Sequence, residues 1–177
     1  NNTHKDLVIL ANTYNKKILC EKPLGMNLLE VKELHSLLKN KKENFLEAIA
    51  YRAHPITSAI FEILKDREIG QIKKIESSFG FKIKKIKKDS RLFNKDLGGG
   101  AILDLGCYPI SFFNLFDQKN DTKIIKSNFE LCETDVDIDG DISLKINYEI
   151  EAIGKVSLKV NLENKCRVYC ENAIITV

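Results

Sequence analysis

No apolar run in this chain approaches the roughly 20 residues that a membrane-crossing helix needs, so the expectation is a soluble protein with no membrane partner. Prolines number only three, and neither an internal repeat nor a low-complexity tract is present. The charge imbalance is small: 28 Lys and Arg against 25 Asp and Glu give a formal net charge of +3. That is too little by itself to imply a nucleic-acid partner. The five cysteines, Cys20, Cys107, Cys132, Cys166 and Cys170, are odd in number and lack metal-ligand spacing. With no secretory leader before them, they read as reduced thiols in a cytoplasmic protein rather than as a disulfide framework or a zinc site. No combination of His, Cys and carboxylates has convincing metal spacing, and no serine sits in a nucleophile elbow. What remains is a globular composition, 44% hydrophobic and 30% charged. Its 177 residues give room for one domain or parts of two.

The chain opens at Asn1 directly onto a helical pattern, and its last residues, AIITV, stop in mid-pattern; both ends read as cut. Residues 5–14 place Leu7, Leu10, Ala11 and Tyr14 on one stripe of a helix. Ile18 to Cys20 suits the end of a buried strand. Asn27 is a helix cap, with Glu30 completing a capping box, and Leu28, Val31, Leu34 and Leu38 continue at helical spacing. A second strand is expected over Phe45–Tyr51, then a helix opened by Pro55 and closed before Gly70. Strands alternating with helices imply a mostly parallel sheet with crossover connections.

After that the pattern changes. Ile75, Phe79, Phe81 and Ile83 fall on alternate positions, as in a strand. A polar stretch, KKDSRLFNKDL, leads to three glycines, and Ala101 to Phe116 has helical spacing that Pro109 should kink or divide. Ile142 to Ile150 and Val156 to Leu162 alternate again, with a hairpin expected between them at Glu151 to Lys155, which includes Gly154. Arg167 to Glu171 adds a further strand. The expected fold is α/β: a partial parallel layer over residues 1–50, followed over 51–177 by an α+β domain with a mostly antiparallel open sheet.

Two clusters could carry chemistry. Glu21, Lys22 and Pro23 directly follow an apolar strand, where open parallel sheets bind ligands. A lysine there can donate a proton or stabilise an alkoxide; the alternative is a solvent-facing lysine balanced by Glu21. In GGGAILDLGCYPISFF, Asp104 and Tyr108 are four apart and share a helix face. A carboxylate beside a phenol can hold a hydroxylated substrate and assist proton transfer at the carbon being oxidised. A structural hydrogen bond or a cap is the plainer role for Asp104. Arg52 can fix a hydroxyl or phosphate through its planar fork, and Arg91 can close over a substrate or stay at the surface. His54 reads as packed beside Pro55, and His35 as packed among leucines. His4, before the first helix, suits either a cap or a cofactor edge. Lys73, Lys74, Lys82, Lys84, Lys85, Lys87 and Lys88 alternate with isoleucines, as on a solvated strand face with a charged turn.

Glu21-Lys22-Pro23 and the GGGAILDLGCYP segment, in this order and with YRAHP and REIG between them, resemble the Gfo/Idh/MocA oxidoreductase family. The likeness runs through almost the whole chain and is narrower toward its D-xylose dehydrogenase, dihydrodiol dehydrogenase and glucose-fructose oxidoreductase branch. It implies the end of a Rossmann domain followed by a large, mostly antiparallel sheet. It also implies that Lys22 positions cofactor and substrate, that Asp104 contacts substrate hydroxyls, and that Tyr108 stands where many members have a histidine acid or base. By the same resemblance Asn1, His4, Glu21 and Pro23 line an NADP or NAD site, and Arg52 and Arg91 border the substrate cleft. The partners it implies are a sugar-like substrate and a second copy docked through the open sheet. Family members begin with a strand and a GxGxxG turn that grips the cofactor pyrophosphate, and none is present here. The expectation is therefore a hydride-transferring oxidoreductase acting on a sugar or diol, with this portion inactive alone. A non-catalytic sugar-binding or oligomerisation module is the alternative.

Overall fold

The computed structural model describes residues 1–177, leaving aside the side chain of Lys42. Its first part is a small α/β layer. Helix α1 (His4–Thr13), strand β1 (Ile18–Cys20), helix α2 (Leu28–Leu38) and strand β2 (Phe45–Glu47) follow one another, with β1 and β2 parallel and Ile18 opposite Phe45. Asn27 caps α2 by accepting from the Glu30 N–H at 3.0 Å. Glu30 reaches back one residue further than in a standard capping box, to the Met26 N–H at 2.9 Å. The core here is Val8, Cys20, Leu34 and Leu38.

The stripe expected on α1 does not face this core. Val8 is buried, whereas Leu7, Leu10 and Tyr14 are exposed. Two strands are too narrow a layer to cover these three outward apolar positions as well. Nor does β2 run to Tyr51: it ends at Glu47, and Ala50–Ala53 forms a 3-10 turn carrying Tyr51 and Arg52. His35 is exposed on α2 rather than packed among the leucines.

Helix α3 (Pro55–Ile63) starts with Pro55 in its first turn, and the side chain of His54 caps it, Nδ1 accepting from the Ile56 N–H. Then comes the main sheet: β3 (Ile72–Gly80), β4 (Thr122–Leu131), β5 (Asp137–Ile146), β6 (Ile150–Ser157), β7 (Cys166–Cys170) and β8 (Ile174–Thr176). Its order is β4-β5-β6-β3-β7-β8; only the β3–β6 pair is parallel. The expected α/β architecture with an antiparallel-dominated open sheet is what the chain adopts.

Between β3 and β4 the chain lays a helix across the sheet. Ile102–Gly106 is a π-turn, and α4 (Cys107–Asn114) continues from it. The division expected from Pro109 does not occur: α4 runs through the proline from Cys107 to Asn114, and the wider turn lies before it. Phe112, Phe113 and Phe116 pack with Ile60, Ile75, Leu144, Ile146 and Val168. A second cluster, Phe93, Ala101, Leu105, Val136, Val156 and Leu158, lies beneath the π-turn.

The hairpin expected at Glu151 to Lys155 is instead continuous strand. The chain reverses at Asn147 and Tyr148, both at positive φ (52° and 67°), with the Glu149 N–H donating to Ile146 O at 3.1 Å. That is a type I′ turn, whose twist matches antiparallel strands. Gly154 has another use: a Cβ there would lie 3.2 Å from the Phe113 ring and 3.1 Å from Ile142. The missing side chain lets the helix approach the sheet. The strand expected through Leu162 stops at Ser157, whose Oγ accepts from the Lys159 and Val160 N–H groups at 3.0 Å each and donates to Asp139 at 2.7 Å. Residues beyond it wrap the end of β3, where Asn164 accepts from the Gly80 N–H at 2.7 Å.

Candidate active site

The end of β1 delivers Lys22 to the π-turn. Cys20 is the last residue of the strand, and its carbonyl still accepts from Ala48 beyond β2. The loop that follows is held by Glu47, whose carboxylate accepts from the Leu24 N–H at 2.9 Å. From this support Lys22 Nζ donates to the Asp104 carbonyl at 2.5 Å and stands 3.4 Å from Asp104 Oδ1. The same ammonium lies 4.9 Å from the centroid of the Tyr108 ring, within cation–π range. Lys22, 82 residues before Asp104 in sequence, therefore forms one cluster with Asp104 and Tyr108.

Arg91 joins it. Its guanidinium donates to Asp104 Oδ1 at 2.8 Å, so one buried carboxylate meets two cations. The Asp104 side chain is 11% exposed and that of Lys22 16%, whereas Arg91 is 46% exposed. Burying a carboxylate is costly unless it is paired, and the two cations supply that pairing. Arg91 closes the solvent side. Arg52 does not reach the cluster: it is exposed and makes no side-chain hydrogen bond or ion pair with a described residue.

The residues expected to line a cofactor gather on the same loop. His4 Nδ1 lies 2.7 Å from the Pro23 carbonyl. Since a carbonyl only accepts, Nδ1 carries a proton and donates it to this contact. Asn1 Nδ2 donates to Gly98 O at 2.7 Å, joining the chain start to the glycine segment. Glu21 turns back on its own loop, accepting from the Lys22 N–H at 3.2 Å.

Tyr108 is fixed from behind. Phe79 on β3 meets its ring edge-on, centroids 5.1 Å apart. Ser111 Oγ donates to Tyr108 O at 3.0 Å, so at their 2.8 Å contact Tyr51 must donate its O–H to Ser111. Burial raises the Tyr51 phenol above its ordinary range, keeping it a donor. The Tyr108 hydroxyl itself makes no hydrogen bond with a described residue. A hollow of about 390 Å³ opens beside it, lined by Tyr51, Ile56, Phe79, Phe112 and Cys166 among others. Lys22, Asp104 and Arg91 do not line that hollow; Tyr108 alone links it to the charged cluster. A larger cavity of about 490 Å³, near Gly70 and Asn147, contains none of the four.

Other charged groups have ordinary uses. Lys73 pairs with Glu171 and Lys74 with Glu76. Among the described residues no group of His, Cys, Asp or Glu is arranged to hold a metal, and no helix is long and apolar enough to cross a membrane. Glu47, Phe79 and Ser111 were missed by sequence reasoning. Each acts through a contact with a residue distant in the chain or through a backbone group, which no local pattern reveals.

Comparison with known proteins now fits this geometry. The model of the GFO/IDH/MocA C-terminal domain matches residues 57–176, and the chain belongs to the Gfo/Idh/MocA oxidoreductase family. Over 175 residues it is 32% identical to trans-1,2-dihydrobenzene-1,2-diol dehydrogenase of Xenopus tropicalis, covering 98% of this chain and 52% of that protein. Over 116 residues it is 33% identical to D-xylose 1-dehydrogenase (NADP(+)) 2 of Haloferax volcanii, covering 66% of this chain and 35% of that protein. Among solved structures, a mutant 3-ketoreductase from Actinomadura kijaniata, in complex with TDP-benzene and NADP, superposes with a TM-score of 0.86 at 22% identity, over 99% of this chain and 53% of the other. An aldose-aldose oxidoreductase from Caulobacter crescentus gives 0.85 at 18% identity, over 99% and 53%. The chain spans about half the length of the dihydrodiol dehydrogenase.

Proposed function

We propose that these residues are the substrate-side half of an NAD(P)-dependent oxidoreductase that transfers hydride to or from a secondary alcohol or lactol carbon of a sugar or related diol. One observation carries the reading: Lys22, Asp104, Arg91 and the Tyr108 ring converge beyond the carboxyl end of β1, where open parallel sheets bind ligands. We divide the chain near residue 50, into the end of a Rossmann domain and a substrate domain.

The residues present fit the reacting end of a nicotinamide cofactor. Asn1, His4, Glu21 and Pro23 border the loop that carries Lys22, and Gly98 brings its backbone against Asn1. Hydride exchange is the chemistry such a cofactor supplies when bound. This chain's residues handle orientation and the proton. Asp104 accepts from a substrate hydroxyl and fixes its direction, and Arg91 flanks the same carboxylate. In the reducing direction Tyr108 gives its phenolic proton to the alkoxide oxygen, and the Lys22 charge lies beside the ring left anionic. Oxidation reverses both steps.

We place the protein in the cytoplasm, where its five free thiols would stay reduced, and propose self-association through the open sheet. The exposed ten-residue edge strand β4 supports the latter. The deciding experiment is a fluorescence titration of NADPH and NADH against this chain, with sugar present and absent, beside turnover by the full-length protein. Sugar- or diol-dependent NADPH formation by the full-length protein, absent from the 177 residues alone, is the expected result. No turnover by a folded full-length protein on any polyol or diol would overturn the assignment.

A further inference from the structure

The carboxylate of Asp137, at the start of β5, is used inside the protein and not at the candidate site. It lies under the first turn of the helix that carries Asp104. Its Oδ2 accepts from the Ile102 N–H at 2.7 Å, and the neighbouring Ala101 N–H also favours its charged form. These are amides that a helix start leaves without partners. Burial holds this carboxyl above the ordinary aspartate range, offset in part by those amides.

Gly100 makes the approach feasible. Its φ is +113°, a conformation that side-chain-bearing residues rarely adopt, and a Cβ on it would collide with Asp137 Oδ1. The Gly100 carbonyl accepts from the Asp104 N–H at 3.1 Å, and the Gly100 N–H donates to Leu92 O at 2.9 Å. One glycine thus connects Asp137, the π-turn and the segment bearing Arg91. Asp137 is rooted in the sheet, so the contact ties the turn to the most regular part of the fold.

We infer that Asp137 is a positioning residue: by capping the π-turn from β5 it sets where Asp104 stands relative to Lys22 and Arg91. Its part in turnover rests on the function proposed above; its part in geometry does not. Single π-turns inside helices recur at functional sites, and the Lys22 contact runs to the Asp104 backbone carbonyl as well as its carboxylate. Movement of the backbone would break both at once.

The test is made on the full chain by NMR, following amide exchange at Ile102 and the 15N resonance of the Lys22 ammonium. In Asp137→Ala, exchange at Ile102 should rise at least about ten-fold, and the Lys22 signal should move to the position of a free lysine. Asp137→Asn keeps an oxygen acceptor and should restore both. Gly100→Ala keeps the carboxylate in the chain but pushes it away from the turn, and should reproduce the alanine effect. In the full-length enzyme Asp137→Ala should lower kcat with little change in KM. A folded Asp137→Ala chain with an unmoved Lys22 signal overturns the inference, as does an Asn variant as damaged as the Ala one. If Asp137→Ala does not fold, the Asn and Gly100 variants decide it by the same two signals. Wild-type inactivity with the NMR result intact would instead count against the proposed function.

Discussion

At the residue scale the cluster around Asp104 makes the sharpest claims. Tyr108→Phe removes one hydroxyl while keeping the ring against Phe79 and Lys22. If that hydroxyl moves the proton, steady-state kinetics on the full-length protein should show kcat reduced by about 10²-fold or more with KM nearly unchanged. Equal losses in both would point to binding alone. Cys107, next to the cluster, should be chemically quiet: burial pushes its thiol up to about 11. Only the thiolate reacts with alkylating agents, so iodoacetamide labelling of Cys107 should stay slow at pH 8 and rise only as pH nears 11. Fast labelling at pH 8 would mean the site is more open than the structure has it. Lys22, Asp104 and Tyr108 were legible in the sequence because short motifs bring them; Asp137 and Glu47 were not. Their partners are backbone amides 35 and 23 residues away, and an acidic residue at a strand terminus carries no sign of which amide it will meet.

At the element scale the helix caps were readable because their signals are local: Asn27 three residues before Glu30, and Pro55 in a first turn. Alternation revealed the inner strands, since one face of each is buried. Strand β4 has no buried residue at all, so it has no alternation to read. Gly154 misled for a physical reason, because a glycine that admits a ring and a glycine that makes a turn look alike in sequence. Adding bulk there tests the structural account. Gly154→Val would thrust a side chain into Phe113 and Ile142 and should cost about 1–3 kcal/mol by denaturant unfolding; a neutral result would favour the turn. The β3–β7 junction carries a pH-dependent contact. The Glu76 carboxylate meets Lys74 at 2.7 Å and accepts from the Tyr169 hydroxyl at 2.6 Å; the two, Lys74 foremost, hold it below the usual carboxylate range. A depressed folded-state pKa gives stability that is present above the unfolded value and lost as pH falls through the folded one. Glu76→Gln should therefore cost up to about 1 kcal/mol near pH 7, and the gap from wild type should close as acid protonates Glu76. A gap independent of pH would assign the loss to packing.

At the scale of the whole molecule, the two sheets are covered very differently. The main sheet has the α4 helix and two apolar clusters on it, whereas β1 and β2 form a two-stranded parallel layer, a kind of sheet that is normally covered on both faces. Leu19 on β1 is 71% exposed and Leu46, its register partner on β2, is 64% exposed. Leu7 and Leu10 on α1 are exposed as well. These residues belong to the stripe and strands that sequence periodicity marked as buried. If the other half of a Rossmann domain covers them, their placement and their hydrophobicity agree. The relatives' greater length supports that reading, since this chain covers 52% of the dihydrodiol dehydrogenase. Replacing Leu19 and Leu46 by Lys separates the cases. In the 177-residue chain the change should leave the thermal midpoint almost unaltered and reduce self-association seen by light scattering, because the two side chains touch mainly solvent. In the full-length protein the same pair should be strongly destabilising, by several kcal/mol, since each would place an unpaired ammonium in an apolar layer, and NADPH binding should fall with it. Tolerance of both lysines in the full-length protein would mean that this face stays open and that no Rossmann half covers it.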